Sequence, residues 1–461
     1  MLLKFISRCI IRAAGRQRGG LPMKRIAMEQ LVRWKKSSGR KPLILRGARQ
    51  VGKTWLMKEF GRQYFDNVMY LNFDENRRLA RVFDGNLEPR RIVRLLEAET
   101  GISADPEKTL IIFDEVQEAP EALASLKYFC EEAPQYALMA AGSLLGVALH
   151  AGTSFPVGKV SFMTLRPMNF AEFLYAVNAG KLAELLEECD FQAAELLKER
   201  CIEMLRQYYY VGGMPEAVKE FAASGNFARV RGLQKELVSY YQQDFSKHSQ
   251  TALIPRLNMV WQSIPLQLAK ENRKFFYGQV KEGARAKDFE LAIQWLSDCG
   301  LIHKVSAASK PGLPLNAYTN PSVFKIYLHD VGLLSAMSDL SAKTLLAGNE
   351  IFSEFKGALT EQYVLQEIKA ASDRQICYYS SEKSRCEIDF LVQEDDCVIP
   401  VEVKAEENLR AKSLRVYNEK YKPNLSVRTS MSGYRRDNWL LNIPLYFIGS
   451  FEKIVKNEIQ R

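Results

Sequence analysis

The sequence predicts an α/β fold in which a doubly wound parallel sheet comes first, a helical block follows, and an α+β region completes the chain. Two patterns predict the first sheet. Short apolar runs alternate with helix-like segments, and one such pair encloses a glycine-rich loop at residues 47–54. After about residue 350 the pattern changes to strands of alternating polarity, which predicts a second sheet with one face exposed.

Composition indicates a globular protein. The length of 461 residues suggests about three domains. The contents of 47% hydrophobic and 26% charged residues are typical of a globular protein. No apolar run reaches about 18 residues, so we expect no transmembrane helix and a cytoplasmic protein. The eight cysteines form no C-x-x-C pair and have no zinc-finger spacing, which favours free thiols in a reducing compartment.

The net charge of +10 is unevenly distributed. Residues 1–22 contain five basic residues and no acid, so they hold half of the excess. We expect this basic extension to lie outside the fold, with Met23 as the true start of translation, although a mitochondrial transit peptide has a similar composition. The remaining positive charge permits a nucleic-acid partner without demonstrating one.

A complete phosphate-binding loop follows an apolar run at residues 42–45 that suits a buried strand. The loop matches G-x-x-x-x-G-K-[ST] and reads Gly47-Ala48-Arg49-Gln50-Val51-Gly52-Lys53-Thr54. Its glycines let backbone N–H groups approach phosphate oxygens, Lys53 can reach the β- and γ-phosphates, and the Thr54 hydroxyl can bind Mg²⁺. Trp55 follows in a predicted helix whose N-terminus would face the phosphates. The loop therefore predicts a nucleotide site.

Two later strands are expected to complete this site. The apolar run 110–113 ends in Asp114 and Glu115, and acids at the carboxyl end of a buried strand lie where such sheets bind ligands. Asp114 can hold Mg²⁺, and Glu115 can activate the attacking water. The strand-like run 136–142 ends at Ser143, which could sense the γ-phosphate; a simple helix N-cap is the alternative.

The order of these parts resembles that of an AAA-type P-loop ATPase. More narrowly, the chain is similar to a widespread prokaryotic ATPase family in which the AAA module precedes a C-terminal domain of uncharacterised function. The similar stretches read LILRGARQVGKT, IIFDEVQEAP, AAGSLLG, RPMNFAEF and GGMPEAV, and the resemblance covers nearly all of residues 23–461. It implies ATP as the ligand and Mg²⁺ as its metal, with the Walker roles and the sensor 1 position taken by Lys53, Thr54, Asp114, Glu115 and Ser143.

The resemblance leaves the arginine that completes the site unassigned. Arg49 and Arg166 are candidates, and a structural salt bridge is the alternative for each. A ring would take such an arginine from a neighbouring subunit, and the sequence identifies none, so the oligomeric state stays open.

A helical block is expected after the first sheet. Residues 182–210 have helical periodicity that ends at the Gly-Gly-x-Pro turn at 212–215, which predicts a helical lid. Residues 284–305 place apolar side chains on one helix face before a stop at Gly300, and this pattern resembles the second half of a winged helix. Its exposed positions carry several acids, which favours packing against protein over reading of DNA. Nearby bases such as Arg273 could meet phosphates, or they could form a solvated face.

The last region contains a second group of acidic residues. Alternate residues of a strand share a face, so Glu402 and Lys404 are expected together on a strand at 398–404. A hairpin with the strand at 387–392 would bring Asp389 beside Glu402. Two carboxylates can bind Mg²⁺, and a lysine can steady a scissile phosphate. An amphipathic hairpin with a charged outer face is the alternative.

The spacing of these residues resembles the PD-(D/E)xK restriction-endonuclease fold. Twelve residues separate Asp389 from Glu402-x-Lys404, and Glu361 on the predicted helix 354–369 matches an additional carboxylate of that fold. One departure is Ile388, where the motif has proline. The expected domains are therefore an AAA-type ATPase at 23–205, a helical lid and winged-helix-like region at 206–345, and a PD-(D/E)xK-like domain at 346–461.

These patterns lead to three functional hypotheses. The first is a Mg²⁺-dependent ATPase that couples its nucleotide state to a C-terminal domain that binds or cleaves DNA or RNA. The second is a nucleotide-switched interaction protein with little turnover and an inactive nuclease-like fold. The third is a signalling NTPase whose C-terminal domain holds an unidentified protein partner.

Overall fold

The computed structural model describes residues 23–142, 156–347, 353–381, 386–407 and 411–460. They form two compact units. The first, here called the P-loop unit, consists of Lys24–Arg166 with Gln294–Leu301. The second, here called the mixed-sheet unit, contains Pro167–Ile293 with Ile302–Arg461.

The P-loop unit has a parallel five-stranded sheet in the order β2-β3-β4-β1-β5. Its strands are β1 Leu43–Arg46, β2 Asn67–Asn72, β3 Thr109–Asp114, β4 Ala137–Ala141 and β5 Ser161–Thr164. Its helices are α1 Ala27–Lys36, α2 Lys53–Tyr64, α3 Pro89–Thr100 and α4 Pro120–Glu132, with 3₁₀ turns at Arg77–Phe83 and Val116–Glu118.

The central strands are apolar because helices cover both faces of the sheet. Every residue of β3 and β4 is buried. One side of the core is aromatic, with Phe73, Phe83 and Phe113 meeting edge to face at centroid distances of 5.4–5.8 Å. The predicted strands of this sheet therefore agree with the structure, with boundaries shifted by one or two residues.

The mixed-sheet unit has an eight-stranded sheet in the order β12-β13-β11-β10-β9-β8-β6-β7. Its strands are β6 Ile302–Ala308, β7 Thr319–Leu328, β8 Ile376–Ser381, β9 Cys386–Glu394, β10 Cys397–Val403, β11 Ser426–Ser430, β12 Arg435–Asp437 and β13 Leu440–Pro444. The helices before the sheet are α5 Phe170–Ala176, α6 Gly180–Glu188, α7 Phe191–Leu196, α8 Lys198–Val211, α9 Pro215–Ser224, α10 Phe227–His248, α11 Ile254–Leu268, α12 Tyr277–Val280 and α13 Ala286–Asp298. Those within it are α14 Val331–Met337, α15 Ala342–Ala347, α16 Ser353–Ala371, α17 Lys412–Tyr421 and α18 Phe451–Ile459, with 3₁₀ turns at Leu315–Tyr318 and Leu445–Ser450.

The expected domain boundaries at residues 205 and 345 do not coincide with the two units. Strand β6, from the winged-helix-like region, pairs in parallel with β8 of the expected C-terminal domain, so both regions share one sheet. Helix α5 was expected in the first domain, but its Phe170 N–H donates to the Glu367 carboxylate at 2.8 Å inside the mixed-sheet unit. The helix expected at 182–210 is divided into α6, α7 and α8.

A β-bulge in β9 decides which side chains share a face. The pairs Cys377↔Leu391 and Tyr379↔Ile388 leave two residues of β9, Asp389 and Phe390, opposite one residue of β8. The alternation of faces therefore shifts within β9. Cys377, Tyr379, Cys386, Ile388 and Leu391 pack together with Leu414 and Tyr417 of α17.

Candidate functional site

The phosphate-binding loop leaves β1 and enters α2 through residues in the left-handed region. Gly47, Gln50 and Gly52 have φ angles of 144°, 66° and 94°. Helix α2 then begins at Lys53, and the first N–H groups of a helix have no partner within it. The loop and the helix start together form the arrangement that binds anions through the backbone.

Lys53 lies within this loop. Its side chain is buried, and its Nζ donates to the carbonyl oxygens of Gly47 and Ala48, each at 2.9 Å. Burial lowers the pKa of Lys53 to about 8, although the Glu115 and Asp114 carboxylates oppose that shift. The ammonium group therefore stands close to both acids that follow β3.

The hydroxyl of Thr54 and the carboxylate of Asp114 are in direct contact. Thr54 Oγ1 donates to Asp114 Oδ2 at 2.6 Å, and the Tyr70 hydroxyl donates to the same oxygen at 2.9 Å. The backbone N–H of Glu115 donates to the other carboxylate oxygen at 3.1 Å. Because α2 follows β1 and Asp114 ends β3, this contact joins two strands that β4 separates.

The donor set at this contact fits a magnesium ion. A hydroxyl and a carboxylate oxygen are the hard ligands that Mg²⁺ prefers, and Mg²⁺ takes its remaining ligands from phosphates and water. Among the residues that the structure describes, no group of three or more His, Cys, Asp or Glu residues is placed to hold a metal. A magnesium ion here would therefore depend on Thr54, Asp114 and the nucleotide together.

Glu115 occupies a constrained position directly after β3. Its φ of 50° lies in the left-handed region, which is uncommon for a residue other than glycine. Its Oε2 accepts a hydrogen bond of 2.7 Å from Gln117 Nε2. The carboxylate is therefore oriented by a neighbour in the following 3₁₀ turn.

Arg25 contributes to the loop, and no sequence motif indicates this contact. Its buried guanidinium donates to the carbonyl oxygens of Val51 at 3.0 Å and of Arg166 at 2.7 Å. It thus ties the phosphate-binding loop to the segment that follows β5. Arg166 therefore takes part through its backbone carbonyl. Arg49 lies close enough to Lys53 to help lower the pKa of that lysine.

The remaining predicted residues of this site have different outcomes. Trp55 lies on α2 and is partly buried. Strand β4 ends at Ala141 between β1 and β3, and Ser143 lies outside the described residues. The roles predicted for both side chains stay predictions.

In the mixed-sheet unit, Glu361 on α16 is surrounded by cations. Arg273 forms an ion pair with its Oε1, Tyr327 donates to its Oε2 at 2.9 Å, and Lys325 Nζ lies 3.9 Å from the same oxygen. Burial would raise the pKa of Glu361, but Arg273 and Lys325 outweigh burial and lower it. Arg273, considered above as a phosphate contact, is therefore occupied by a carboxylate.

Lys325 is a second residue, after Arg25, that the sequence did not indicate. It is fully buried on β7, and its Nζ also pairs with Glu387 Oε1 at 2.7 Å. Burial would lower the pKa of Lys325, but the carboxylates of Glu361, Glu387 and Asp389 raise it instead. A single lysine in the apolar strand pattern Val323-Phe324-Lys325-Ile326-Tyr327-Leu328 was the available signal.

The four residues of the predicted nuclease site divide into two pairs. Asp389 contacts Glu361, and its Oδ2 accepts a hydrogen bond of 2.7 Å from the Val403 N–H. Glu402 instead forms an ion pair of 2.8 Å with Lys404. With burial, Glu402 also raises the pKa of Cys386, which packs against α17. The register of these strands pairs Val401 of β10 with Phe390 of β9, directly beside both carboxylates, and the joint action of Asp389 and Glu402 stays a prediction.

The fold and the loop geometry together define Lys24–Arg166 as a P-loop α/β domain. Residues 39–174 match the family described as an AAA domain. Residues 202–344 and 356–447 match two families described as domains of unknown function, DUF8612 and DUF4143. No curated protein matches the chain.

Solved structures of three archaeal proteins resemble the chain at low identity. The Walker-type ATPase of Pyrococcus abyssi is 15% identical over 69% of this chain and 96% of its own, with a TM-score of 0.43. Orc1 of Aeropyrum pernix, solved in complex with DNA, is 12% identical over 72% and 96%, with a TM-score of 0.28. Cdc6p of Pyrobaculum aerophilum is 12% identical over 72% and 97%, with a TM-score of 0.25.

Two expectations from composition can be compared with the described residues. Their seven cysteines are free thiols, as the sequence predicted. No helix among them combines the length and the hydropathy that a membrane span requires.

Proposed function

We propose that the P-loop unit binds ATP with Mg²⁺ and hydrolyses it. The hydrogen bond of 2.6 Å between Thr54 and Asp114 carries this proposal. It joins the start of a phosphate-binding helix to the acidic end of a neighbouring strand, which is the arrangement that a magnesium–nucleotide complex needs. The match of residues 39–174 to an AAA domain supports the same conclusion.

Binding of the phosphates is assigned to the loop and to Lys53. The N–H groups of the loop and of the first turn of α2 would surround the β-phosphate. Lys53 would leave the carbonyl oxygens of Gly47 and Ala48, which it contacts at 2.9 Å, and turn to the β- and γ-phosphates. Arg25 holds the loop in place through the Val51 carbonyl.

Hydrolysis is assigned to the residues at the end of β3. Thr54 and Asp114 would hold the magnesium ion, which when bound neutralises charge on the phosphate oxygens. Glu115 would accept the proton of the attacking water, and Gln117 orients its carboxylate for this role.

Two substitutions test the proposal. Lys53→Ala should weaken ATP binding by about tenfold or more, because a charge-assisted contact with phosphate is lost. Glu115→Gln should keep ATP binding and lower turnover by about 100-fold or more, because the general base is lost. Calorimetric titration measures the first effect, and release of inorganic phosphate measures the second.

Matched controls come from the same unit. Lys127→Ala removes an exposed lysine of α4, and Glu118→Gln removes a carboxylate three residues from Glu115. Both should resemble the wild type. Unchanged ATP affinity in Lys53→Ala would contradict the proposed site, and unchanged turnover in Glu115→Gln would contradict the assigned base.

For the mixed-sheet unit we infer a binding role, which the second hypothesis from the sequence also contained, together with a low turnover that we do not adopt. The buried cluster contains two cations, Arg273 and Lys325, and two carboxylates that pair with them, Glu361 and Glu387. Burial and the neighbouring Glu361 raise the pKa of Asp389 well above its usual range. The cluster, with these ion pairs formed, therefore carries little net negative charge, which supports binding over metal-dependent cleavage.

A further inference from the structure

Helix α13 ends against the phosphate-binding loop. Gly300 has a φ of 72°, its N–H donates to the Ser297 carbonyl at 2.9 Å, and the Leu301 N–H donates to the Leu296 carbonyl at 3.0 Å. These two bonds form a Schellman motif, which ends a helix with a left-handed glycine. The segment Gln294–Leu301 belongs to the P-loop unit, whereas the earlier residues of α13 belong to the mixed-sheet unit.

Gly300 faces one particular peptide unit of the loop. A Cβ at Gly300 would lie 3.3 Å from the backbone nitrogen of Ala48 and 3.7 Å from the carbonyl carbon of Gly47. These two atoms belong to the same peptide unit. The adjacent Cys299 is buried and lies close enough to Lys53 to raise the pKa of that lysine slightly against the effect of burial. All of these contacts lie within the P-loop unit.

Lys53 holds the other side of that peptide unit. Its Nζ donates to the Gly47 carbonyl oxygen at 2.9 Å. When a phosphate attracts Lys53, this carbonyl loses its donor, and the peptide unit becomes free to reorient. Gly300 then sets how far the Ala48 nitrogen can move, because the space between the two backbones is too narrow for an unstrained Cβ.

We propose that Gln294–Leu301 is the nucleotide-sensing segment of this chain, with Gly300 as the positioning residue that bears on the loop. The proposal rests on the ATP binding proposed above. Nucleotide binding changes the peptide unit between Gly47 and Ala48, and the end of α13 responds to that change.

The chain contains a matched control for Gly300. Gly283, just before α13, has the same φ of 72°, but a Cβ there would have nothing within 4 Å. Alanine at either position therefore incurs the same unfavourable backbone conformation. Only Gly300→Ala adds a methyl group against the phosphate-binding loop.

The first experiment compares Gly300→Ala with Gly283→Ala. Both variants should lose a similar amount of thermal stability. Calorimetric titration should show ATP affinity weakened about three- to tenfold in Gly300→Ala and unchanged in Gly283→Ala, a difference of up to about 1.4 kcal/mol in binding free energy. Gly300→Val should weaken binding further. Equal affinities in Gly300→Ala and Gly283→Ala would overturn the proposal.

The second experiment needs no variant of Gly300. Hydrogen exchange of the wild type should change in residues 294–301 when ATP and Mg²⁺ are added, and the same peptides of Lys53→Ala should show no change. If the wild type binds ATP but hydrogen exchange at residues 294–301 does not change, this inference alone is overturned. Failure of the wild type to bind ATP would instead overturn the proposed function.

Discussion

Glu367 is a buried carboxyl group without a cationic partner among its described contacts. Its Oε1 accepts the Phe170 N–H at 2.8 Å, at the start of α5. Burial, and after it the Glu172 carboxylate, raise the pKa of Glu367 to about 8. The other titratable groups that face it are the hydroxyls of Tyr208, Tyr209 and Tyr363. Glu367 is therefore protonated in the folded protein at neutral pH.

This raised pKa gives the stability a definite pH dependence. The ordinary pKa of an accessible glutamate is 4.5, so the folded state binds more protons than the unfolded state between pH 4.5 and about 8. The free energy of unfolding should fall as pH rises through this range. Glu367→Gln keeps an acceptor for Phe170 but does not titrate. The substitution should make the free energy of unfolding less dependent on pH. At pH 9 it should raise that free energy above the wild-type value by a few kcal/mol, as an order of magnitude.

Urea unfolding at pH values from 5 to 9 measures the effect. Glu216→Gln, on the exposed side of α9, controls for the loss of a surface carboxylate and should follow the wild-type slope. A Glu367→Gln profile parallel to that of the wild type would show that Glu367 does not titrate in this range.

At the scale of elements, the turn between α8 and α9 is tied to two other segments. The Gly213 N–H donates to Asp330 Oδ2 at 2.6 Å, and the Gly213 carbonyl accepts the Met168 N–H at 2.7 Å. Asp330 also caps α14 by accepting the Leu333 N–H at 2.9 Å. The Gly-Gly-x-Pro turn is therefore held both to the segment around Met168 and to the start of α14.

Gly213→Ala should destabilise this unit. A Cβ at Gly213 would overlap the Met168 carbonyl oxygen, and the backbone of both segments would have to move. We expect a loss of about 2 kcal/mol or more in the free energy of unfolding, measured by urea denaturation. Gly232→Ala, in the middle of α10 with nothing within 4 Å, should instead add about 0.5–1 kcal/mol. Equal midpoints for the two variants would contradict this account of the turn.

Element types were largely predictable from local patterns. The buried strands β1, β3 and β4 are apolar on both faces, and the helix start at Lys53 follows from the loop motif. The predicted boundaries at 205 and 345 lie close to the limits of the matched families at 202–344 and 356–447. The grouping of these regions into two compact units was not predictable, because periodicity shows that a helix buries a face but not against which partner. The bulge at Asp389 was also invisible, since a strand pattern alone does not reveal an extra residue.

The same distinction applies to the site. Lys53, Thr54 and Asp114 were predictable because a short motif and a strand end fix their positions along the chain. Arg25 was not, because its partner at Arg166 lies 141 residues away in sequence. Lys325 likewise depends on carboxylates contributed by α16 and β9, which only the folded sheet brings together.

At the scale of the whole molecule, the question is what a nucleotide-binding unit controls. The net charge of +10 is compatible with a nucleic-acid partner. The mixed-sheet unit contains the residues that suggested a nuclease, but its buried charges neutralise one another. Under the proposed function, ATP would regulate binding by this chain, and the bound partner would not be cleaved.

This view predicts that DNA stays intact. Supercoiled plasmid and single-stranded DNA, incubated with the full chain, ATP and either Mg²⁺ or Mn²⁺, should show no cleavage on gels. Any DNA binding should weaken steeply with salt, because phosphate contacts release counterions. Asp389→Ala should behave like the wild type in both assays. The matched control is Asp396→Ala, which removes an exposed carboxylate next to β10. Cleavage that disappears in Asp389→Ala but persists in Asp396→Ala would show that the buried carboxylates act on nucleic acid, and the ion pairs of Glu361 would then have to open during the reaction.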